Sequence, residues 1–294
     1  MNITSQALIN QKIKHAKSLP FQSIQPSSSR LRLNDTRRVL NEKVKRFEIN
    51  SFKVKNVSFD MIRCPIGIFT MGSANEYDNP ERIEKIYHPF LLGETEVTQE
   101  LYQAVMGYNP SEFKKNGSKK PVENVNWYEA IMFCNKLSQM LGKRPYYEIS
   151  NVNTVQNKKK QIDSANIQSN PNTDGFRLPT EKEWEYAAKA GTNNQYAGCD
   201  NKTDLKNYGW YEENSNDSTQ PVKTLLPNEW GFYDMSGNVR EWCWDKYDNT
   251  SAHRVDRGGG WSPYASYLRS ARRDYSPGGR DDLVGFRVSA SLVN

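Results

Sequence analysis

The chemistry open to this chain is set by a small number of residues. Its four cysteines, Cys64, Cys134, Cys199 and Cys243, are widely spaced and include no C-x-x-C pair, so neither a zinc site nor a disulfide framework is indicated. Cys64 and Cys134 sit beside apolar residues, as buried free thiols do. The three histidines, His15, His88 and His253, lack the H-x-E or H-x-x-x-H spacing that gathers imidazoles around a metal. His88 reads as a strand-edge residue and His253 as a loop residue. Ser262, Ser266 and Ser270 have no evident histidine partner for nucleophilic catalysis. Gly258–Gly260 precede Trp261 rather than Lys-Ser/Thr, which makes the triplet a tight backbone path and not a phosphate loop. The segment DMSGNVRE supplies hard oxygen groups. Its Asp234, Asn238 and Glu241 are candidate ligands for calcium, with a hydrogen-bonded turn as the alternative.

A different kind of chemistry is suggested near the C-terminus. Between RGGGW and GFR, residues Ser262 to Val284 contain no Lys, Glu, Gln or Met, in a chain otherwise full of them. The segment is built from Tyr, Ser, Gly and Asp with a few Arg, the vocabulary of a paratope. Tyr gives rigid amphipathic area, Ser and Gly give adaptable polar contact, and Arg gives anchors. Binding rather than bond-breaking suits this palette, although the same residues also serve in ordinary turns.

The elements that must position these residues can be read in outline. A chain of 294 residues with 36% hydrophobic and 25% charged residues can bury a full core. Residues 1–50 are rich in Ser, Gln, Lys and Arg and read as a disordered or loosely helical extension. From Phe52 onward the texture is that of a folded domain, residues 51–294. VSFDMIRCPIGIFTMGS has strand-like alternation broken by Pro and Gly. HPFLLGETEVT reads as a strand leading to a Thr98 helix cap, and TQELYQAVMG as a helix closed by Gly107. In VNWYEAIMFCNKLSQMLG, Ala130, Phe133, Cys134, Leu137 and Leu141 form one helical stripe. Glu148 to Asp174 reads as a long surface excursion, a hairpin being one form for it. Thr180 with Glu183 then makes a capping box. Beyond Gly191 the expectation is irregular loops pinned by aromatics, with Trp242 and Trp244 in the core.

The formal charge is +6, but the basic residues are scattered, with short clusters only at Lys114–Lys120 and Lys158–Lys160. These read as solvated loops and imply no nucleic-acid partner. No apolar run reaches the length of a membrane span, and no signal peptide is visible at the N-terminus.

The phrases FTMGS, ETEVTQELYQAVMG, PVENVNWYEAIMFCNKLS, GFRLPTEKEWEYAAKAG, PNEWGFYDMSGNVREWCWD, RVDRGGGW and GFRVS, in this order, resemble the formylglycine-generating enzyme / sulfatase-modifying factor domain family from Val57 to the C-terminus. The resemblance implies an α+β, C-type lectin-like fold with two or so helices, short strands and much irregular structure. It implies calcium at the DMSGNVRE segment in some members. The oxidase members use a copper-binding cysteine pair, and the matching places here fall at Pro263 and Leu268, which are not ligands. The sulfoxide synthases of the family need a histidine cluster around iron, which this chain does not offer. The residues that both branches use are therefore missing, and the reading is a non-catalytic binding protein. A formylglycine-generating-type oxidoreductase with an unrecognised site is the alternative.

The C-terminal segment also resembles the variable region of proteins diversified by diversity-generating retroelements, in which adenine-directed randomisation makes Lys, Glu, Gln, Met and Trp unreachable. The implied framework is Trp261, Ala265, Arg269, Ser270, Ala271, Arg273, Pro277, Arg280 and Gly285–Arg287. The implied variable, ligand-contacting positions are Ser262, Pro263, Tyr264, Ser266, Tyr267, Leu268, Arg272, Asp274, Tyr275, Gly278, Gly279, Asp281, Asp282 and Leu283, with Leu268 and Ser276 ambiguous. The implied partner is a protein or cell-surface ligand, and by the same resemblance the cell surface is the implied location.

Overall fold

The computed structural model describes residues 47–292 except 75, 157, 251 and 277–278, and the side chains of 158–160 are likewise outside the description. The expectation for the N-terminal extension falls mostly outside these residues. Its last positions, Ile49 and Asn50, belong to the first strand.

The chain begins with β1 (Ile49–Val54), β2 (Val57–Cys64), β3 (Gly67–Met71), β4 (Arg82–Ile86) and β5 (Phe90–Gly93). The break expected at Pro65 separates β2 from β3. Helix α1 (Gln99–Met106) is capped by Thr98, whose side chain accepts from Leu101 N, and is closed by Gly107 in the left-handed region. Helix α2 (Trp127–Met140) starts at Asn126, which forms a capping box with Glu129. Ala130, Phe133, Cys134 and Leu137 of its stripe are fully buried. The excursion is a hairpin of β6 (Tyr147–Val155) and β7 (Lys158–Ser169) with an irregular register. After β8 (Phe176–Arg177), helix α3 (Glu181–Lys189) carries the Thr180–Glu183 box, and a single turn, α4 (Lys202–Leu205), follows.

From Gly191 to Val239 the chain is irregular apart from α4, as expected, but from Arg240 onward strands replace the expected loops. β9 (Arg240–Lys246), β10 (Arg254–Arg257), β11 (Arg273–Ser276) and β12 (Val284–Gly285) form a sheet in the order β11-β10-β9-β12. β9 has a neighbour on each side, and Glu241, Trp242 and Cys243 are consecutively buried, so the strand has no polar face to produce an alternation. A final strand, β13 (Ser289–Ser291), completes a five-stranded sheet in the order β1-β2-β5-β13-β8.

One core cluster joins α1 and α2 to the five-stranded sheet. In it Tyr102 stacks on Phe133 at 5.5 Å, and Phe286 meets Phe133 edge-on at 5.1 Å. A second cluster lies between α3 and the four-stranded sheet and includes Trp184 and Cys243. Trp127 Nε1 donates to Cys243 O and Trp242 Nε1 to Val125 O, both at 2.9 Å, so two core indoles keep hydrogen bonds while buried. All four cysteines are buried and free. Among the described residues, no helix is long and apolar enough to cross a membrane.

Candidate functional site

The C-terminal segment is held at both ends by buried arginines. Arg257, in RGGGW, pairs with Glu185 and donates to Ser270 O at 2.9 Å. Arg287, in GFR, makes two 2.6 Å bonds to the Glu241 carboxylate and donates to Gly93 O at 3.0 Å. Both guanidiniums are essentially inaccessible to solvent, so loss of either carboxylate partner would leave an uncompensated buried charge. The glycines between them follow the tight path expected. Gly259 has φ +70, and a Cβ there would lie 2.8 Å from Leu268 Cδ1 and 3.0 Å from Tyr267 O. Trp261 then turns back, donating from Nε1 to Asp282 O and meeting Phe113 edge-on.

From this frame the chain runs through a 3₁₀ turn, Ala265–Leu268, into β11. Ser262, Tyr264, Ser266, Tyr267, Tyr275 and Gly279 are exposed, and Pro263, Arg272, Asp274, Asp281, Asp282 and Leu283 are half-buried. Of the framework residues, Ala265, Ser270, Ala271 and Gly285–Arg287 are buried, Trp261, Arg269, Arg273 and Arg280 are half-buried, and Pro277 lies outside the described residues. Of the ambiguous pair, Ser276 is buried and donates to Asp256 Oδ2 at 2.7 Å. Leu268 requires a correction. It is 0% exposed, in a small cluster with Tyr196, Cys199, Leu205, Tyr211 and Ala265, and its side chain cannot reach a ligand. Gly278 lies outside the described residues.

Ser262, Pro263, Tyr267, Asp274 and Leu283 converge on a concavity of about 200 Å³, completed by Arg240 and Gly259. Arg240 lies 3.2 Å from Asp281 and 3.7 Å from Asp256. Burial raises the Asp256 carboxyl to about 6 despite that guanidinium. Asp282 is raised by burial and then by its neighbour Asp281. Arg272 lies over the Tyr267 ring at 4.9 Å, while Tyr275 is flanked by Tyr247 at 4.5 Å and His253 at 5.0 Å. Sequence reasoning missed Arg240, Tyr247 and His253 as neighbours of the surface. Strand pairing brings Arg240 beside Val284, and no local pattern carries that information.

The calcium expectation does not survive the geometry. Calcium takes about six to eight oxygens. Asn238 Oδ1 accepts from Gln220 N and its Nδ2 donates to Gln220 O. Both Glu241 oxygens accept from Arg287, and Oε2 accepts from Trp184 Nε1 as well. Of the three side chains, only Asp234 keeps a buried oxygen without a hydrogen bond, Oδ1. The trio therefore does not fit the ion as a ligand set. The side-chain oxygens of Glu96 are also buried without partners, and burial followed by the charges of Asp234 and Glu241 pushes its carboxyl well up. Among the described residues, no group of three or more His, Cys, Asp or Glu is arranged to hold a metal. The two places that match the oxidase cysteines lie at the concavity, with half-buried Pro263 lining it and buried Leu268 packed against Gly259.

Residues 42–292 match the sulfatase-modifying factor enzyme 1-like domain. The chain is 36% identical over 229 residues to chaperone protein LppX of Paenibacillus barcinonensis, covering 70% of this chain and 79% of that protein. It is 34% identical over 146 residues to the formylglycine-generating enzyme of Streptomyces coelicolor, covering 39% of this chain and 46% of the enzyme. Among solved structures it is similar to Treponema denticola variable protein 1, with 38% identity, a TM-score of 0.75, and coverage of 83% of this chain and 99% of that one. A mixed α+β fold in this arrangement, the domain match and these likenesses together establish that the chain belongs to the sulfatase-modifying factor enzyme 1-like domain family, with the C-type lectin-like fold of formylglycine-generating enzymes.

Proposed function

We propose that this protein is a non-catalytic binder that engages a protein or cell-surface ligand through a diversified surface formed by residues 262–283. The observation that carries the reading is the separation of side chains along one short segment. Of the thirteen described candidate positions, six are exposed, six half-buried and only Leu268 buried, whereas of the ten described framework positions six are buried, four half-buried and none exposed. A surface that must accept many side chains needs this arrangement, because exposed substitutions change stability little whereas buried ones change it greatly. A backbone held at both ends by Arg257 and Arg287 also reduces the ordering cost of binding. The likeness to a variable protein from Treponema denticola supports the same reading.

The test is a pair of libraries in the full chain. One is randomised at the exposed and half-buried candidate positions alone, leaving Arg269, Arg273 and Arg280 fixed, with adenine-derived codons, the other at Ala265, Leu268, Ser270 and Ala271. The first should yield mostly folded protein, and selection on immobilised streptavidin should return binders that lose affinity when Tyr264, Tyr267 or other selected side chains are reverted. The second should yield mostly unfolded chains. If the first library collapses like the second, or folds and returns no binder, the reading is wrong.

A further inference from the structure

One charged side chain of the concavity at the C-terminal segment comes from outside that segment. Arg240 opens β9, where it pairs with Val284 of β12 and its amide donates to Leu283 O at 2.7 Å. Its side chain is 17% exposed and lines the hollow with Ser262, Pro263, Tyr267, Asp274 and Leu283. Two acids face the guanidinium. Asp256, on β10, is fully buried; its Oδ2 accepts from Ser276 Oγ, and its Oδ1 lies 3.7 Å from Arg240 Nη1, too far for a hydrogen bond. Asp281 has a 41% exposed side chain and accepts from Arg240 Nη2 at 3.2 Å, the single hydrogen bond that guanidinium makes among the described residues. The arginine is thus fixed by a strand, while its hydrogen-bonded acid stands at a candidate variable position. The backbone at 281 does not depend on that contact, because Asp281 O accepts from Asn124 N at 3.0 Å and from Val284 N at 3.2 Å.

We infer that Arg240 is a fixed carboxylate anchor of this surface, and that Asp281 occupies the place an acidic side chain of a protein ligand takes when residue 281 is uncharged. The group already seated on the guanidinium is a carboxylate, which selects that chemistry for the anchor. The planar fork of arginine suits it, and a charge-assisted bond in a partly shielded hollow is stronger than one in open water. A concavity of about 200 Å³ is smaller than a drug-sized pocket and takes one protruding side chain. Pro263, Tyr267 and Leu283 supply apolar wall for the methylene groups of a glutamate. Removing Asp281 leaves a half-buried guanidinium short of its partner, a deficit that a ligand carboxylate restores. One position therefore sets the charge preference of the hollow: an acid at 281 closes the anchor, and a neutral residue opens it. The gate rests on the reading of residues 262–283 as diversified, whereas the anchor rests on the geometry alone.

The experiment follows modification of Arg240 by phenylglyoxal in the full-length protein, read by mass spectrometry of its peptide, with propionate as the mimic of a glutamate side chain. Asp281→Ser removes the carboxylate and keeps an oxygen for Leu283 N, which Asp281 Oδ1 accepts from at 2.8 Å. Asp281→Asn is a second variant, for use if the first does not fold. Either should raise the rate at Arg240 about fivefold over wild type, while Arg63, whose side chain is 42% exposed, should react unchanged. In the variants, about 0.1 M propionate should slow Arg240 about threefold relative to NaCl of equal ionic strength, the protection given by a Kd of about 50 mM. Wild type should show no such protection, and inorganic phosphate should protect the variants less than propionate does. Equal rates in wild type and variants, no protection by propionate in the variants, or stronger protection by phosphate would overturn the inference. The two readings fail separately, because these rates do not depend on whether the coding DNA is diversified.

Discussion

Replacing Leu268 by Ala tests whether the C-terminal segment is scaffold at this position or binding surface. Leu268 is 0% exposed and packs with Tyr196, Cys199, Leu205, Tyr211 and Ala265. Its side chain also closes over Gly259, and its carbonyl accepts from Ser236 Oγ at 3.0 Å. The substitution removes three carbons, a transfer loss of about 2.4 kcal/mol at about 0.8 kcal/mol per buried carbon. A cavity penalty adds to this, bringing the cost to about 3–4 kcal/mol. For a domain of this size that corresponds to a fall in Tm of roughly 6–15 °C. Tyr264, by contrast, is 68% exposed, and Tyr264→Ala should change stability by less than about 0.5 kcal/mol. Paired denaturant titrations with constant m-values read both. If Leu268→Ala costs less than about 1 kcal/mol, or Tyr264→Ala costs more than about 2 kcal/mol, the division into frame and surface is refuted.

Further predictions follow from the same geometry. Arg287→Met should cost about 3–5 kcal/mol because it strands the Glu241 carboxylate, and adding Glu241→Leu should recover much of that loss in a double-mutant cycle. Gly259→Ala should cost about 1–3 kcal/mol, since φ is +70 and the new Cβ would press on Leu268 and Tyr267 O; calorimetry would show it. Burial raises Asp234 and Asp256 to about 6, so the native state holds these protons above the unfolded carboxylate range. Their contribution to stability is complete at low pH and is lost as pH rises from about 4 through about 6. Asp234→Asn should therefore gain stability over wild type across that window, and thermal melts showing no pH-dependent gap would contradict the assignment.

Local chemistry made parts of the fold readable. Thr98, Gly107 and the Thr180–Glu183 pair act within a few residues, and the structure places each in its expected role. The Asn126–Glu129 box carries the same kind of signal, but the stretch read as helical begins at Val125, two residues before the helix itself. β9 could not be read because strands on both sides and burial on both faces remove its alternation. Leu268 shows the limit at the site: its residue type fits a variable palette, whereas its burial depends on Tyr196, Tyr211 and Gly259, which are distant or inconspicuous in sequence. The calcium trio failed for a similar reason, since the pairing of Glu241 with Arg287 spans 46 residues. The segment was recognisable because its composition is a property of sequence alone; the separation of exposed from buried side chains needed the fold.

The most direct test of the diversified surface is to sequence the coding DNA for residues 262–284, with its flanking DNA, in a clonal population and in relatives. The account predicts substitutions concentrated at the candidate variable positions other than Leu268, matching adenines in a nearby imperfect repeat, with Ala265, Arg269, Ser270, Ala271, Arg273 and Arg280 constant. An invariant segment with no repeat beside it would contradict the account.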